Sequence, residues 1–375
     1  MNTMATNDKN MVPYRAVHPA EIIKDEIKAR AMTQKELAWR MGIQAPNLTR
    51  LLKGESISLI TARRLESALD IPADFWMRLQ SQYDRDVENI NARNKAEAAA
   101  CVTERSLSNT LNLAELYKRL GISNSRFIQD KLSALENALG FDPTQIDNPE
   151  FDKKLRYNYK RSNKSEVDEK NQTTWLTLAY IESKRNAPGR PFSQGNARLA
   201  ACEISSLAHS GALNESEIKT ILNNYGIAYS VVPKLERTPI DAASMNLGDY
   251  PAIISTHRFN DMSRLIFNVL HELGHIEKHM FAEPKEIYVS GDGYSSDTPC
   301  EREANDFAQN MLIDETLWNT MMKSGPLYDL RFGNIVERLR TLSEENHLDF
   351  HIVVWRWKYE SHIYQLKGVR PAPIR

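Results

Sequence analysis

Two histidines four residues apart constrain this chain more than any other feature. Phe267–His279 reads FNVLHELGHIEKH, and His271-Glu272-Leu273-Gly274-His275 within it has the pattern H-E-x-x-H. On a helix each residue turns about 100°, so both imidazoles fall on one face, one turn apart, within reach of one cation. Phe267, Val269, Leu270, Leu273 and Ile276 give the same helix an apolar side to bury. Neutral imidazole nitrogens suit Zn2+. Glu272 lies beside the pair without being an arm of the cage, where a carboxylate takes a proton from metal-bound water. A fold that completes such a site must bring a third ligand from elsewhere in the chain and leave one position open.

Glu301-Arg302-Glu303-Ala304-Asn305-Asp306-Phe307-Ala308 is the segment that offers it. Glu301, Ala304, Asn305 and Ala308 share one helical face by i, i+3, i+4, i+7 spacing. Glu301 is a candidate ligand, and Glu303 is its rival. Cys300 is a further donor beside them, although it reads more simply as a buried, inert thiol. Asn305 can accept a hydrogen bond from the free nitrogen of a liganding histidine. The metzincin pattern is excluded, because Phe281 stands where that pattern needs a further histidine.

At 375 residues the chain has length for two or three domains, and an apolar fraction of 41% supplies real cores. The net charge of −1 gives no global attraction to nucleic acid or membrane, so any DNA-binding charge is local. Cys101, Cys202 and Cys300 are far apart and odd in number, which fits a reducing, cytoplasmic location better than a disulfide scaffold. The N-terminus MNTMATNDKN lacks the apolar stretch of a secretory signal, and residues 1–17 read as a disordered tail. No run of eighteen apolar residues exists to span a membrane.

Residues 18–83 read as a five-helix DNA-binding domain. His18-Pro19 starts a helix over AEIIKDEIKARA. Thr33 is an N-cap with Glu36 three residues on, the spacing of a capping box. The helix QKELAWRMG stops at Gly42, and the next runs from about Ala45 to Leu52 before Gly54. Two short helices with this turn make a helix-turn-helix pattern. Leu37, Ala38, Met41, Ile43, Leu48, Leu51 and Leu52 would pack it. Gln44, Asn47, Thr49, Arg50 and Lys53 are then left outward, the residue types that read base edges and hold phosphates. Helices over about 59–69 and 73–83 follow. A single module of this kind binds weakly, so a homodimer on a two-fold operator of double-stranded DNA is expected.

This segment resembles the Cro/C1-type helix-turn-helix, and more closely the HigA-type antitoxins, through HPAEIIKDEI, TQKELAWRMGI, NLTRLLKGESISLITARRLESAL and PADFWMRLQSQYD. The resemblance puts Gln44, Asn47 and Arg50 on the recognition helix and implies a toxin as a further partner.

Residues 84–110 read as a helical linker and 111–222 as a helical middle region, with periodic runs in LAELYKRLGI, FIQDKLSALENAL, TTWLTLAYIESKR and NARLAACEISSLA. Asn163–Asn171 and Asn186–Phe192 read as loops. From residue 223 the pattern changes. GIAYSVVP and PAIIST are short, rich in β-branched residues, and read as strands of a small sheet whose edge could align an extended peptide. His257 is placed to line the cleft, and His279 reads as an outer or exposed residue. Tyr288, Tyr294, His351 and Arg356 are candidate oxyanion stabilisers. Ala282–Pro299 reads as a long polar loop. The expected fold is therefore mainly α with a small β-sheet, an α+β arrangement.

Tyr225–Tyr359 resembles the ImmA/IrrE family of zinc metallo-endopeptidases. The resemblance rests on LIFNVLHELGHIEKH, CEREANDFAQNMLID, TPIDAAS, PAIISTHRFND and HIVVWRW, with Asp314 and Trp355 standing where the family often has Pro and Gly. It implies a zincin-like domain over 223–375, with His271, His275 and Glu301 as zinc ligands and Glu272 as catalytic base. It also implies a protein substrate, a transcriptional repressor, cut in a stress or mobile-element response. A reading from another class stands beside it: a HigA-like antitoxin or autorepressor whose peptidase-like part only binds a toxin or ligand.

Overall fold

The computed structural model describes residues 12–147, 167–282, 287–291, 298–323, 332–363 and 365–374. It is mostly helical with one four-stranded sheet, as expected. The chain divides into two compact units, residues 1–102 with 127–129, and residues 103–126 with 130–375.

The first unit is built from α1 (Pro19–Ala29), α2 (Gln34–Arg40), α3 (Ala45–Leu52), α4 (Leu59–Leu69) and most of α5 (Ala73–Thr110). His18 caps α1 through Nδ1, which accepts from the Ala20 N–H at 3.0 Å. Thr33 caps α2, its hydroxyl accepting from the Glu36 N–H at 3.2 Å. The capping box does not close. The Glu36 carboxylate turns instead to Arg40, one turn on, at 2.7 Å, where an ion pair competes with the backbone donor. Leu37, Ala38, Met41, Leu48, Leu51 and Leu52 are buried with Ile23, Leu65 and Trp76 in one core, and Ile43 packs on its margin. Gly42, at φ +63°, makes the turn between α2 and α3. The fifth helix does not stop near residue 83. It runs unbroken to Thr110, through the whole segment expected as a linker. Nothing in Arg85–Thr110 interrupts it, because that stretch contains neither proline nor glycine.

The second unit contains α6 (Leu113–Leu120), most of α7 (Ile128–Leu139), α8 (Glu169–Arg185), α9 (Asn196–His209) and α10 (Glu215–Asn224). Asp168 caps α8 by accepting from the Asn171 N–H at 3.0 Å, so the expected loop 163–171 ends before Glu169. The rest of that loop through residue 166 lies outside the described residues. The sheet follows as β1 (Ala228–Val231), β2 (Ala242–Asn246), β3 (Pro251–Ser255) and β4 (Tyr288–Ser290), in the order β1-β3-β2-β4. β1 is parallel to β3, and β2 is antiparallel to both β3 and β4. The sequence expected β1 and β3 alone. β4 falls inside the expected loop 282–299, and it is only three residues long.

Across this sheet lies α11 (Met262–Lys278), followed by α12 (Pro299–Leu312), α13 (Glu315–Lys323), α14 (Phe332–Glu345) and α15 (Phe350–Ser361). α11 packs against α9, α12, α15 and the sheet. It is buried on nearly every side from Met262 to Ile276, more than its apolar stripe required. Asp261 caps its start, accepting from the Ser263 N–H at 3.0 Å.

Candidate metal centre and nucleic-acid interface

α11 and α12 approach closely because Gly274 lies between them. A Cβ on Gly274 would come within 3.1 Å of the Ala304 Cα and 3.2 Å of its carbonyl oxygen. That approach brings Glu301, on the first turn of α12, against the two histidines of α11. Its Oε2 is 3.2 Å from His271 Nε2, and its Oε1 is 3.3 Å from His275 Nε2. The two Nε2 atoms are 3.0 Å apart. Among the described residues His271, His275 and Glu301 form one potential metal-ligand group, with ligand atoms within 4.8 Å of one another. The rival Glu303 is elsewhere. Its carboxylate is 3.3 Å from His279 Nε2, because two residues along a helix turn a side chain to the far face. Cys300 does not join the cluster.

The outer nitrogens of both imidazoles are engaged. His271 Nδ1 meets Asn305 Oδ1 at 2.9 Å, the partner position the sequence suggested for Asn305. An amide oxygen only accepts, so the proton is on Nδ1 and the Nε2 lone pair faces the cluster. His275 Nδ1 meets His279 Nδ1 at 3.1 Å, and the Tyr288 ring stacks on His275 at 4.3 Å. His275 also turns a lone pair on the cluster when its proton is on Nδ1, and two such lone pairs with a carboxylate in a buried space would be satisfied by a cation at their centre. Tetrahedral zinc with bonds of 2.0–2.1 Å sets its ligand atoms about 3.3 Å apart, close to the spacings present. The donor set therefore fits zinc.

Without a cation the three groups perturb one another. Burial would raise the Glu301 carboxyl, but hydrogen bonding with His271 and His275 outweighs burial and holds it near 2. Burial pushes His275 down to about 4. His271 is raised, since its hydrogen bond to Glu301 and the charges of Glu272 and Glu301 overcome burial. Glu272 is fully buried, and burial pushes its carboxyl up to about 7, against the pull of His271 and two serine donors. Ser290 donates to its Oε1 at 2.5 Å and Ser244 to its Oε2 at 2.7 Å. Sequence reasoning missed both serines. They lie on β4 and β2, the two strands it did not expect; Ser244 closes the TPIDAAS segment, but nothing in that segment marked it as a partner of Glu272.

Neither His257 nor His351 belongs to the metal-ligand group, and Arg356 is engaged elsewhere. His257 Nε2 is 2.7 Å from Glu215 Oε1. His351 donates its backbone N–H to Asp349, the cap of α15, at 2.8 Å. Arg356 is buried and tied to the end of α12, donating to the carbonyls of Gln309 at 3.1 Å and of Ile313, with Glu360 at 3.2 Å. An arginine spent on helix-end carbonyls is not an oxyanion donor. Tyr294 lies outside the described residues.

In the first unit the polar face of α3 stands in solvent. Gln44, its N-cap, and Asn47, Thr49, Arg50 and Lys53 are all exposed. Arg50 donates to Asn47 Oδ1 at 3.1 Å and stands 3.6 Å from Glu55. The Thr49 hydroxyl donates back to the Ala45 carbonyl at 3.0 Å. Residues 8–71 match the family model described as a helix-turn-helix domain.

The N-terminal unit carries a helix-turn-helix domain.

On that account the chain is a DNA-binding transcriptional regulator. Among solved structures it is similar to "Pseudomonas aeruginosa antitoxin HigA with higBA promoter", at 32% identity over 22% of this chain and 89% of that chain, with a TM-score of 0.20. No curated protein matches the chain. Within the helix-turn-helix domain, Arg50 as placed neutralises part of its own charge on Glu55, so contact with a phosphate requires that exposed pair to open, at a cost of about 0–1 kcal/mol. Among the described residues no helix is long and apolar enough to cross a membrane.

Proposed function

We propose that this regulator joins operator binding by its helix-turn-helix domain to zinc-dependent hydrolysis of a peptide bond in a protein substrate. The observation that carries the hydrolase half is the convergence of His271, His275 and Glu301, with Glu272 buried beside them. Zinc held by those three residues would polarise a peptide carbonyl and acidify its water to near neutrality. Glu272 is the proton carrier. Its carboxyl is fully buried next to the proposed ligand His271, where it can take a proton from the bound water and pass it to the leaving amine. Ser244 and Ser290 hold its two oxygens in place, and each oxygen retains a second lone pair for the reacting proton.

β4 lies at the sheet's edge, with Ser290 on it, so an extended peptide adding to that edge would lie beside Glu272. The resemblance to ImmA/IrrE peptidases makes a transcriptional repressor the substrate. Cleavage in trans is favoured over cleavage of the chain's own Arg85–Thr110 segment. A peptidase takes its substrate extended, and that segment is uninterrupted helix.

The test compares proteins cut in cells holding the parent chain with those holding Glu272→Gln, by mass spectrometry. Fragments seen only with the parent support the reading. Identical fragment sets sink it.

The helix-turn-helix match favours a second reading, an antitoxin or autorepressor whose second unit binds a toxin or ligand without cutting. A purified chain free of zinc selects this reading. About one zinc per chain selects the peptidase.

A further inference from the structure

We propose that His279 and Glu303 are positioning residues that fix the tautomer and ring orientation of His275 for metal binding. The inference rests on the zinc reading above and extends it to residues outside the H-E-x-x-H pattern. α11 ends one turn beyond His275, and His279 is its C-cap, on the same face. Its Nδ1 is 3.1 Å from His275 Nδ1, and its Nε2 is 3.3 Å from Glu303 Oε2. The Glu303 segment is held in turn, since Lys278 donates to its backbone carbonyl at 3.3 Å. Tyr288 stacks on the His275 ring and lies 5.8 Å from His279, which limits how either imidazole can tilt.

Only one proton arrangement in this row leaves His275 Nε2 free for a metal. His275 must carry its proton on Nδ1 and donate it to an acceptor. His279 Nδ1 accepts when the proton of that ring is on Nε2. That Nε2–H then donates to the Glu303 carboxylate, which as an anion only accepts. The direction runs from His275 to His279 to Glu303, and every group in the row is satisfied. His271 is held differently, by the amide oxygen of Asn305 alone. α12 therefore supplies Glu301 to the centre, Asn305 to one histidine, and Glu303, through His279, to the other. This also accounts for Glu303, which the cluster itself does not use.

The test uses the full chain, with zinc affinity measured by competition against a chromophoric chelator and the Co2+-substituted absorption spectrum recorded in parallel. Loss of the outer partner in His279→Ala is expected to weaken zinc binding about 10–100-fold and shift the Co2+ bands. His279→Asn keeps an acceptor near the Nδ1 position without the link to Glu303, and should recover binding to within about threefold of the parent. Glu303→Gln should fall between the parent and His279→Ala. Melting of the metal-free chain, measured for each variant, separates a fold effect from a site effect. The proposal is overturned if His279→Ala binds zinc as the parent does. It is equally overturned if His279→Ala and His279→Asn lose affinity alike, in step with lost metal-free stability. A parent chain that takes up no zinc overturns the peptidase reading and this inference together. A parent that binds zinc beside an unaffected His279→Ala overturns this inference alone.

Discussion

The two candidate sites of this chain are built on opposite plans. The helix-turn-helix domain presents Gln44, Asn47, Thr49, Arg50 and Lys53 on an exposed helix face, over a core made by other residues. The centre on α11 buries its ionisable groups, with His271, Glu272 and His275 shielded from water and Glu301 half-covered. In the first plan fold and function are separable, because the side chains proposed to touch DNA carry none of the core. In the second they are coupled. The groups that would hold a metal are also groups the core must satisfy, and each unpaired polar atom there costs stability.

Variants can break or sharpen that contrast. The largest effect is expected from His271→Ala, which should reduce zinc from about one per chain to none. It should also change the melting temperature of the metal-free chain, since it removes a buried partner of Glu301. Metal analysis and calorimetry on the same preparation check both. Next comes Glu272→Gln, expected to keep zinc and fold while slowing cleavage at least about 10²–10⁴-fold. Retained cleavage would remove Glu272 as the base. In the other unit, Asn47→Ala and Arg50→Ala should each weaken binding to operator DNA by about 1–3 kcal/mol. Their melting temperatures should stay at the parent value, and a joint loss of stability and DNA binding would show that the sites do not differ as described. Gly274→Ala puts a Cβ 3.1 Å from the Ala304 Cα, and any widening of the α11–α12 approach that follows should lower zinc affinity, read by chelator competition, with no group of the cage replaced. The smallest effect is expected from Thr33→Ala, which removes one cap bond and about 1 kcal/mol while zinc content stays unchanged.

Much of this was legible in local sequence. The period of four between His271 and His275 fixed their shared face. The run from Thr33 to Gly54 fixed two short helices and their turn to within a residue or two. β2 was not legible. Ala-Ala-Ser-Met-Asn has neither β-branched residues nor alternation, and only a position in the middle of a sheet, under α11, makes it a strand. β4 is too short to announce itself, and with both strands went the two serines that hold Glu272. Arg356 was misread for a related reason. Its type suits an oxyanion donor, and only the fold shows it spent on the carbonyls that end α12.

What the sequence settled alone is periodicity: which residues share a face of one helix, where helices start and stop, and which side chains are left outward on α3. Those facts depend on bonds within a few residues. The choice of Glu301 over Glu303, the burial of Glu272 and the row from His275 through His279 to Glu303 were decided by the tertiary structure. The first and last depend on how closely α12 approaches α11, an approach that leaves no ordinary room for a side chain at Gly274, and the second on the strands that bring Ser244 and Ser290 against Glu272.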